Sequence, residues 1–282
     1  MFRLAKKSVN TIVNESFYSF IKKARNKFDY LYEKYSFKPY QIQKIVAGEK
    51  IELLISDLFA KHWYDRPQDF DSWQELVWLK EHVLKQGDIV ADCGANIGFT
   101  GLFFAKCIGS QGRVVGFEAL PSNADVARKN IELNRVCNFE IRNQAVGSHS
   151  GFIEFSDYPN GSVGKTEGCR TISVPVVSLD EAFPEEKPTF LKIDVEGYEI
   201  DVLKGATEIL KTRPKLEIEI HCASFSDRLS SVTELLSLLP LADYETFLQL
   251  AINEEILPFS LSSATPELII KYDNVQLIAI PK

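Results

Sequence analysis

The stretch VADCGANIGFTG, residues 90–101, restricts what this chain can fold into more than any other. An apolar run ends in Asp92, a turn of small residues follows, and a helical pattern begins a few residues later. Strand, glycine turn and helix in that order are the opening of a strand–crossover–strand unit. The glycines stand at Gly94, Gly98 and Gly101, and the run Asp92-Cys93-Gly94-Ala95-Asn96-Ile97-Gly98 contains no Gly-x-Gly. The dinucleotide fingerprint Gly-x-Gly-x-x-Gly is therefore missing. A nicotinamide-dependent oxidoreductase on a similar sheet becomes the alternative rather than the leading reading.

From Gly87 onward the same alternation continues. Strands are expected in DIVADC, RVVGFEA, NFEIRNQAV, TFLKIDV and PKLEIEIH, with helices over 97–108, 122–134, 199–211 and near 229–239. GFIEFSDY and RTISVPVVSL have β character, and YETFLQL with NVQLIAI reads as a closing antiparallel pair at the sheet edge. The fold class is α/β: a Rossmann-like, doubly wound, mostly parallel sheet covered on both faces. Upstream, DSWQELVWLKEHVLK (71–85) reads as a helix with Trp73, Val77, Trp78, Val83 and Leu84 on one stripe and Asp71 or Ser72 as cap. Residues 40–64 read as a short hairpin, or a strand and loop, around Gly48.

In open α/β sheets ligands sit beyond the carboxyl ends of the strands. There the small-residue loop offers Asp92 to a ligand amine and a helix N-terminus near Ile97 to a ligand carboxylate. Twenty residues beyond Gly98 the second strand ends in Glu118, whose carboxylate can accept from both hydroxyls of a ribose. An amino acid joined to a nucleoside, S-adenosylmethionine, fits all three features. Asn143, Gln144 and Ala145, at the end of the third strand, could flank its adenine through side-chain amide or backbone groups, and read equally as an ordinary strand-to-turn exit. Taken one at a time, Asp92 reads equally as a helix cap and Glu118 as a solvated strand end.

A second constellation lies further along. Lys192, Asp194 and Glu196 alternate on one strand, and Glu217, Glu219 and His221 on the next, so each set shares a face. Lys192 with Glu217 is the expected structural pair. Asp194, Glu196, Glu219 and His221 lie nearer the strand ends, where a substrate belongs. Methyl transfer requires an acceptor oxygen held in line and its proton removed. His221 suits the base, since its unperturbed pKa lies near neutrality, although a lone histidine is as often a satisfied core residue. Asp194 or Glu196 could serve if burial raises its pKa. A metal-assisted variant, with Asp194, Glu219 and His221 on Mg²⁺ or Mn²⁺, ranks below the metal-free one, because spacing alone fixes no coordination geometry. SDYPNGSVGKTEGCR (156–170) is a candidate mobile loop, with Ser162, Lys165 and Arg170 able to meet a polar substrate, and it reads equally as a plain surface loop.

A formal charge of −7 argues against a general nucleic-acid partner. No stretch approaches the roughly 20 apolar residues of a membrane span, and no signal peptide is visible. The five cysteines, Cys93, Cys107, Cys137, Cys169 and Cys222, form no Cys-x-x-Cys pair, which favours a reducing cytoplasm over a disulfide framework. The Lys- and Arg-rich residues 1 to about 37 read as a solvated helix, with peripheral membrane or partner contact as the second reading. The expected division is an N-terminal extension, 1–70, and a cofactor-binding domain, 71–282.

GDIVADCGANIGFTG, VVGFEALPSNADVARKNIELN, QAVG, VPVVSLDEAF, LKIDVEGYEIDVLKGA and LEIEIH together resemble the FkbM family of S-adenosylmethionine-dependent methyltransferases, from about residue 75 to 222. The resemblance implies a class I methyltransferase fold, with seven strands of which the last runs antiparallel. It also implies O-methylation of a hydroxyl, often on a sugar, glycan or secondary metabolite. Asp92, Gly94, Ala95, Asn96, Gly98, Glu118, Ala119, Asn143, Gln144, Ala145 and Asp194 are the cofactor-binding candidates. Asp194, Glu196, His221 and Lys192 are the catalytic ones. No metal ligand is assigned. A non-catalytic module that keeps the fold is a further alternative.

Overall fold

The computed structural model describes residues 36–66, 73–158, 161, 163–164, 170–251, 254–262 and 265–282. Most of the basic N-terminal segment, the Asp71 or Ser72 cap, and Ser162 and Lys165 of the candidate loop lie outside the described residues. The described strands are β1 (Tyr40–Val46), β2 (Glu49–Ile55), β3 (Ile89–Cys93), β4 (Arg113–Phe117), β5 (Phe139–Arg142), β6 (Ala145–Val146), β7 (Gly151–Ser156), β8 (Thr171–Val177), β9 (Phe190–Ile193), β10 (Lys215–Ile220), β11 (Tyr244–Gln249), β12 (Leu257–Pro258) and β13 (Val275–Pro281). Cα packing divides the chain into two units, 1–40 with 55–66 and 41–54 with 67–282. In the smaller, Asp57 caps the helix Leu58–Tyr64 by accepting from the Ala60 N–H.

The main sheet of the larger unit has the order β12-β11-β13-β10-β9-β3-β4-β5. β10, β9, β3, β4 and β5 run parallel, and β13 is antiparallel to both of its neighbours, β10 and β11. This is a class I methyltransferase sheet with its antiparallel last strand, extended by the two-residue β12. The parallel strands are apolar on both faces because helices cover both. Val90, Ala91, Val115, Leu191, Ile193, Leu216 and Ile218 are all completely buried. From β3 the chain winds outward through β4 and β5, then returns to add β9 and β10 on the other side. The order reverses between β3 and β9, and the crevice at the carboxyl ends of those two strands is where such sheets bind ligands.

Several elements depart from the sequence expectation. The third strand is two strands in two sheets: β5 ends at Arg142, and Ala145–Val146 join a separate sheet of order β6-β8-β7. Asn143 causes the break, because its side-chain amide donates to the carbonyls of Glu118 and Ala119 and turns the chain away from β4. The helix expected over 199–211 is divided into Glu199–Lys204 and Thr207–Lys211. At the division Gly205 lies so close to Gly147 that a Cβ would stand 2.0 Å from its carbonyl oxygen. The Asp180 carboxylate then accepts from the Glu208 and Ile209 N–H groups and restarts the helix. The helix Gln74–His82 is shorter than expected, and its deepest face is Leu76 and Leu79, continued by Val83, rather than Val77 and Trp78.

The hairpin around Gly48 is present, with Ala47 and Gly48 both at positive φ, as a tight primed turn requires. Buried Asn130 accepts from the Leu54 N–H at 2.7 Å and donates to the Ile97 carbonyl, while Asn134 exchanges two hydrogen bonds with the Glu52 backbone. The hairpin segment 41–54 is thus held by the helix Pro121–Asn134 and reaches the back of the glycine turn. Among the described residues no helix is long and apolar enough to cross a membrane.

Candidate functional site

At the end of β3 the backbone passes through positive φ three times in five residues, at Gly94, Asn96 and Gly98. Gly94 is forced by contact as well as by conformation: a Cβ there would lie 1.8 Å from the Asp194 carbonyl oxygen. The Asp194 N–H donates to the Cys93 carbonyl, so the turn after β3 and the chain leaving β9 are locked together. The helix Phe99–Ile108 begins two residues later than expected, with Gly98 as its cap. The Ile97 N–H is consequently unavailable to a ligand, since the Asn96 side chain accepts from it. A ligand carboxylate would meet the first turn after Gly98.

Asp92 and Glu118 are both buried, which removes the readings of helix cap and solvated strand end. Asp92 is completely enclosed, and neither of its carboxylate oxygens meets a hydrogen-bond donor. Burial pushes it up to about 6, against the pull of Lys192 beside it on β9. A carboxylate so placed, with the Lys192 ammonium as its neighbouring cation and no hydrogen-bond donor of its own, suits a ligand ammonium. Its enclosure leaves charge, rather than an open hydrogen bond, as what it can offer a ligand.

Glu118 stands one residue past β4 and turns toward the glycine loop. Its oxygens accept from the Asn96 N–H and the Leu120 N–H, both at 2.8 Å. Burial nevertheless raises the carboxyl to about 7. The Asn123 side chain donates to the same carboxylate, so about one accepting position is left for a hydroxyl donor. Ala119 and Ala145 are buried beside it in a small apolar cluster with Leu120, Phe155, Val174 and Val176. The Asn143 amide is committed to bracing the loop after β4, and Gln144 lies in the turn beyond it. The Asn143 side-chain N–H group thus braces the backbone at Glu118 and Ala119.

The ionisable row assembles at the ends of β9 and β10. Lys192 and Glu217 are register partners, but the Lys192 ammonium bonds the Asp194 carboxylate at 2.9 Å. Glu217 is left buried without a donor, and burial and then the Glu75 carboxylate push its carboxyl well above the usual range. The expected Lys192–Glu217 pair is replaced by Lys192–Asp194 because the side chain reaches forward toward the strand end. Burial opposes the Lys192 charge, yet Asp194, Glu217 and Asp92 hold its pKa well above normal. Burial raises Asp194, but Lys192 and His221 outweigh it, and the net shift is downward. Strand alternation stops at Ile193. Glu196 sits in a left-handed turn at φ 54°, a conformation that costs a non-glycine residue energy and clusters at functional sites.

His221 follows β10 directly and is almost completely buried. Its Nε2 faces Asp194 at 3.7 Å, Glu196 at 3.5 Å and Glu219 at 3.6 Å. Its Nδ1 donates to Glu199 at 2.7 Å. Burial works against charge on the ring, but the Glu199 hydrogen bond and the surrounding carboxylates carry it up to about 9. Glu219 is raised to about 8, by burial first and then by Asp194. Glu199 is the residue that the sequence reading missed. It is completely buried and also accepts from the Gly197 N–H. Its position in a helix-opening segment gave no sign that it faces inward.

The family model for the methyltransferase FkbM domain matches residues 92–246. The hexuronic acid methyltransferase AglP of Haloferax volcanii is 32% identical over 177 residues, covering 61% of this chain and 71% of that protein. The methyltransferase sdnD of Sordaria araneosa is 24% identical over 207 residues, covering 60% and 72%. Among solved structures, an S-adenosylmethionine-dependent O-methyltransferase of Thermotoga maritima aligns with a TM-score of 0.45 at 16% identity, covering 86% of this chain and 78% of its own.

Proposed function

From the premise that the chain belongs to the FkbM methyltransferase family, we propose that it methylates a hydroxyl oxygen of a sugar or glycan, with S-adenosylmethionine as donor. The observation that carries this reading is the pair of buried carboxylates, Asp92 and Glu118, on adjacent strand ends around a turn into which Asp194 is packed at Gly94. The printed name of the Haloferax relative supports a sugar acceptor.

When bound, S-adenosylmethionine supplies a methyl group on a positively charged sulfur. Asp92 favours its ammonium group by charge, and Glu118 accepts from the ribose hydroxyls. The small residues Gly94 and Ala95 let the ligand approach the backbone, and the first turn of the helix after Gly98 favours its carboxylate. Asp194, braced by Lys192, links this half of the site to the acceptor half. The acceptor hydroxyl lies against the open rim of the cluster, where Asp194 and Glu196 are about a third exposed. One of these two carboxylates would take the hydroxyl proton as the oxygen bonds to the methyl and the methyl–sulfur bond breaks, the donor leaving as neutral S-adenosylhomocysteine. His221 is too enclosed for that contact, and with Nδ1 held by Glu199 it orients the carboxylates instead.

The test is transfer of labelled methyl from S-adenosylmethionine to a saccharide panel that includes uronic acids, followed by treatment of the product with base. A base-stable methyl ether supports the reading. A base-labile ester places the methyl on a carboxylate and overturns the hydroxyl assignment. Failure of the homocysteine product to bind at millimolar concentration overturns the cofactor assignment.

A further inference from the structure

We propose that Asp194, Glu219 and His221 form a site for one divalent cation of the Mn²⁺ or Mg²⁺ kind, open toward the acceptor. One ligand atom from each residue lies within 4.8 Å of the other two. Ions bound at 2.0–2.6 Å bring neighbouring ligands to about 3–3.5 Å of one another. The Nε2 distances of 3.7 Å to Asp194 and 3.6 Å to Glu219 need only a small contraction.

Proximity of acidic groups would not carry this inference. The independent observation is Glu199. A metal-binding histidine almost always donates its second ring N–H to a carboxylate or carbonyl, which fixes the tautomer and aims the free nitrogen. Here a completely buried carboxylate, itself positioned by the Gly197 N–H, accepts from His221 Nδ1 and turns Nε2 toward the other acids. Nε2 then meets oxygens only at 3.5–3.7 Å, at or beyond the reach of a good hydrogen bond. The buried ring is aimed at a point that the Asp194 and Glu219 carboxylates also face, and an ion there would draw the three ligand atoms together.

Charge points the same way. Asp194, Glu196, Glu199 and Glu219 surround one imidazole, and the only cationic groups beside these four carboxylates among the described residues of the cluster are that ring itself and Lys192. An ionised sugar acid approaching this rim would meet repulsion. A bound cation reverses the sign and offers coordination positions to the acceptor oxygens. The two carboxylates suit Mg²⁺ or Mn²⁺, and the imidazole favours Mn²⁺ over Mg²⁺. The role assigned to the acceptor rests on the proposed function; the ion site itself does not.

The experiment titrates Mn²⁺ into the chelator-stripped full chain, with free ion read by electron paramagnetic resonance and ligand nitrogen by its pulsed form. One ion per chain is expected, with coupling to an imidazole nitrogen. His221→Gln should abolish the coupling, Glu219→Gln should weaken binding at least tenfold, and Glu199→Gln should weaken it about 10–100-fold. Binding of S-adenosylhomocysteine by each variant reports that it is folded. No ion at millimolar Mn²⁺, or an ion without nitrogen coupling, or binding indifferent to all three substitutions overturns the site. Those results with S-adenosylhomocysteine still bound leave the methyltransferase reading standing, whereas ion binding without S-adenosylhomocysteine binding defeats only the cofactor assignment.

Discussion

Gly94 shows how far one residue can control two half-sites. Its φ of 88° and the Asp194 carbonyl at 1.8 Å from a Cβ position are separate obstacles to any side chain. Gly94→Ala is expected to cost at least about 2 kcal/mol, the sum of left-handed strain and overpacking against backbone. Urea unfolding checks this, and cofactor binding should fall in the same variant. Glu118 gives a pH prediction. Its carboxyl is raised to about 7 in the ligand-free protein, and ribose hydroxyls donate to the ionised form. Binding therefore releases a proton below pH 7, and affinity for S-adenosylhomocysteine should fall up to about fivefold between pH 7 and pH 6. Calorimetry across that range checks the slope, and Glu118→Gln should both weaken binding and flatten the dependence. Asp92 and Glu118 were visible as candidates because strand ends before and after a glycine turn are fixed positions in this topology. The roles of Asn143 and Glu199 were not visible. A side chain that braces a loop or a ring leaves no periodic trace, since its partners lie 24 and 22 residues away.

At the scale of elements, the hairpin β1–β2 depends on two asparagines of the helix Pro121–Asn134. Asn130 is completely buried and joins the Leu54 N–H to the Ile97 carbonyl behind the glycine turn. Asn130→Ala leaves both groups unpaired, so a loss of about 1–3 kcal/mol is expected. Hydrogen exchange should show the Leu54 amide losing protection first, and cofactor affinity should decline because Ile97 is part of the turn. Most elements were legible from periodicity, and the hairpin from Gly48. Their boundaries failed where a tertiary contact intervened. NFEIRNQAV keeps strand character throughout, but the Asn143 amide diverts the chain and sends Ala145 into another sheet. The helix after Gly197 has helical composition through Lys211, yet it breaks where Gly205 meets Gly147.

Across the whole molecule, the reversal of strand order between β3 and β9 brings the cofactor half and the acceptor half to one crevice. Ligand binding there should stabilise the fold by mass action. S-adenosylhomocysteine at about 100 times its Kd should contribute about 2.7 kcal/mol, seen as a rise in Tm of several degrees. Asp194→Asn should retain S-adenosylhomocysteine binding while lowering methyl transfer by at least about 100-fold if that carboxylate takes the proton. Single-turnover assays read the difference, and the same loss in Glu196→Gln instead would assign the proton to Glu196. The amino-acid sequence alone determined the α/β architecture, the glycine turn and its acidic neighbours, because apolar periodicity and glycine placement act over a few residues. Only the tertiary structure decided that Lys192 pairs with Asp194, that Glu199 holds His221, and that four carboxylates converge on one ring. Those outcomes depend on strand register and side-chain reach between segments far apart in the chain, and electrostatic energy at 3–4 Å separations is settled by that geometry and not by composition.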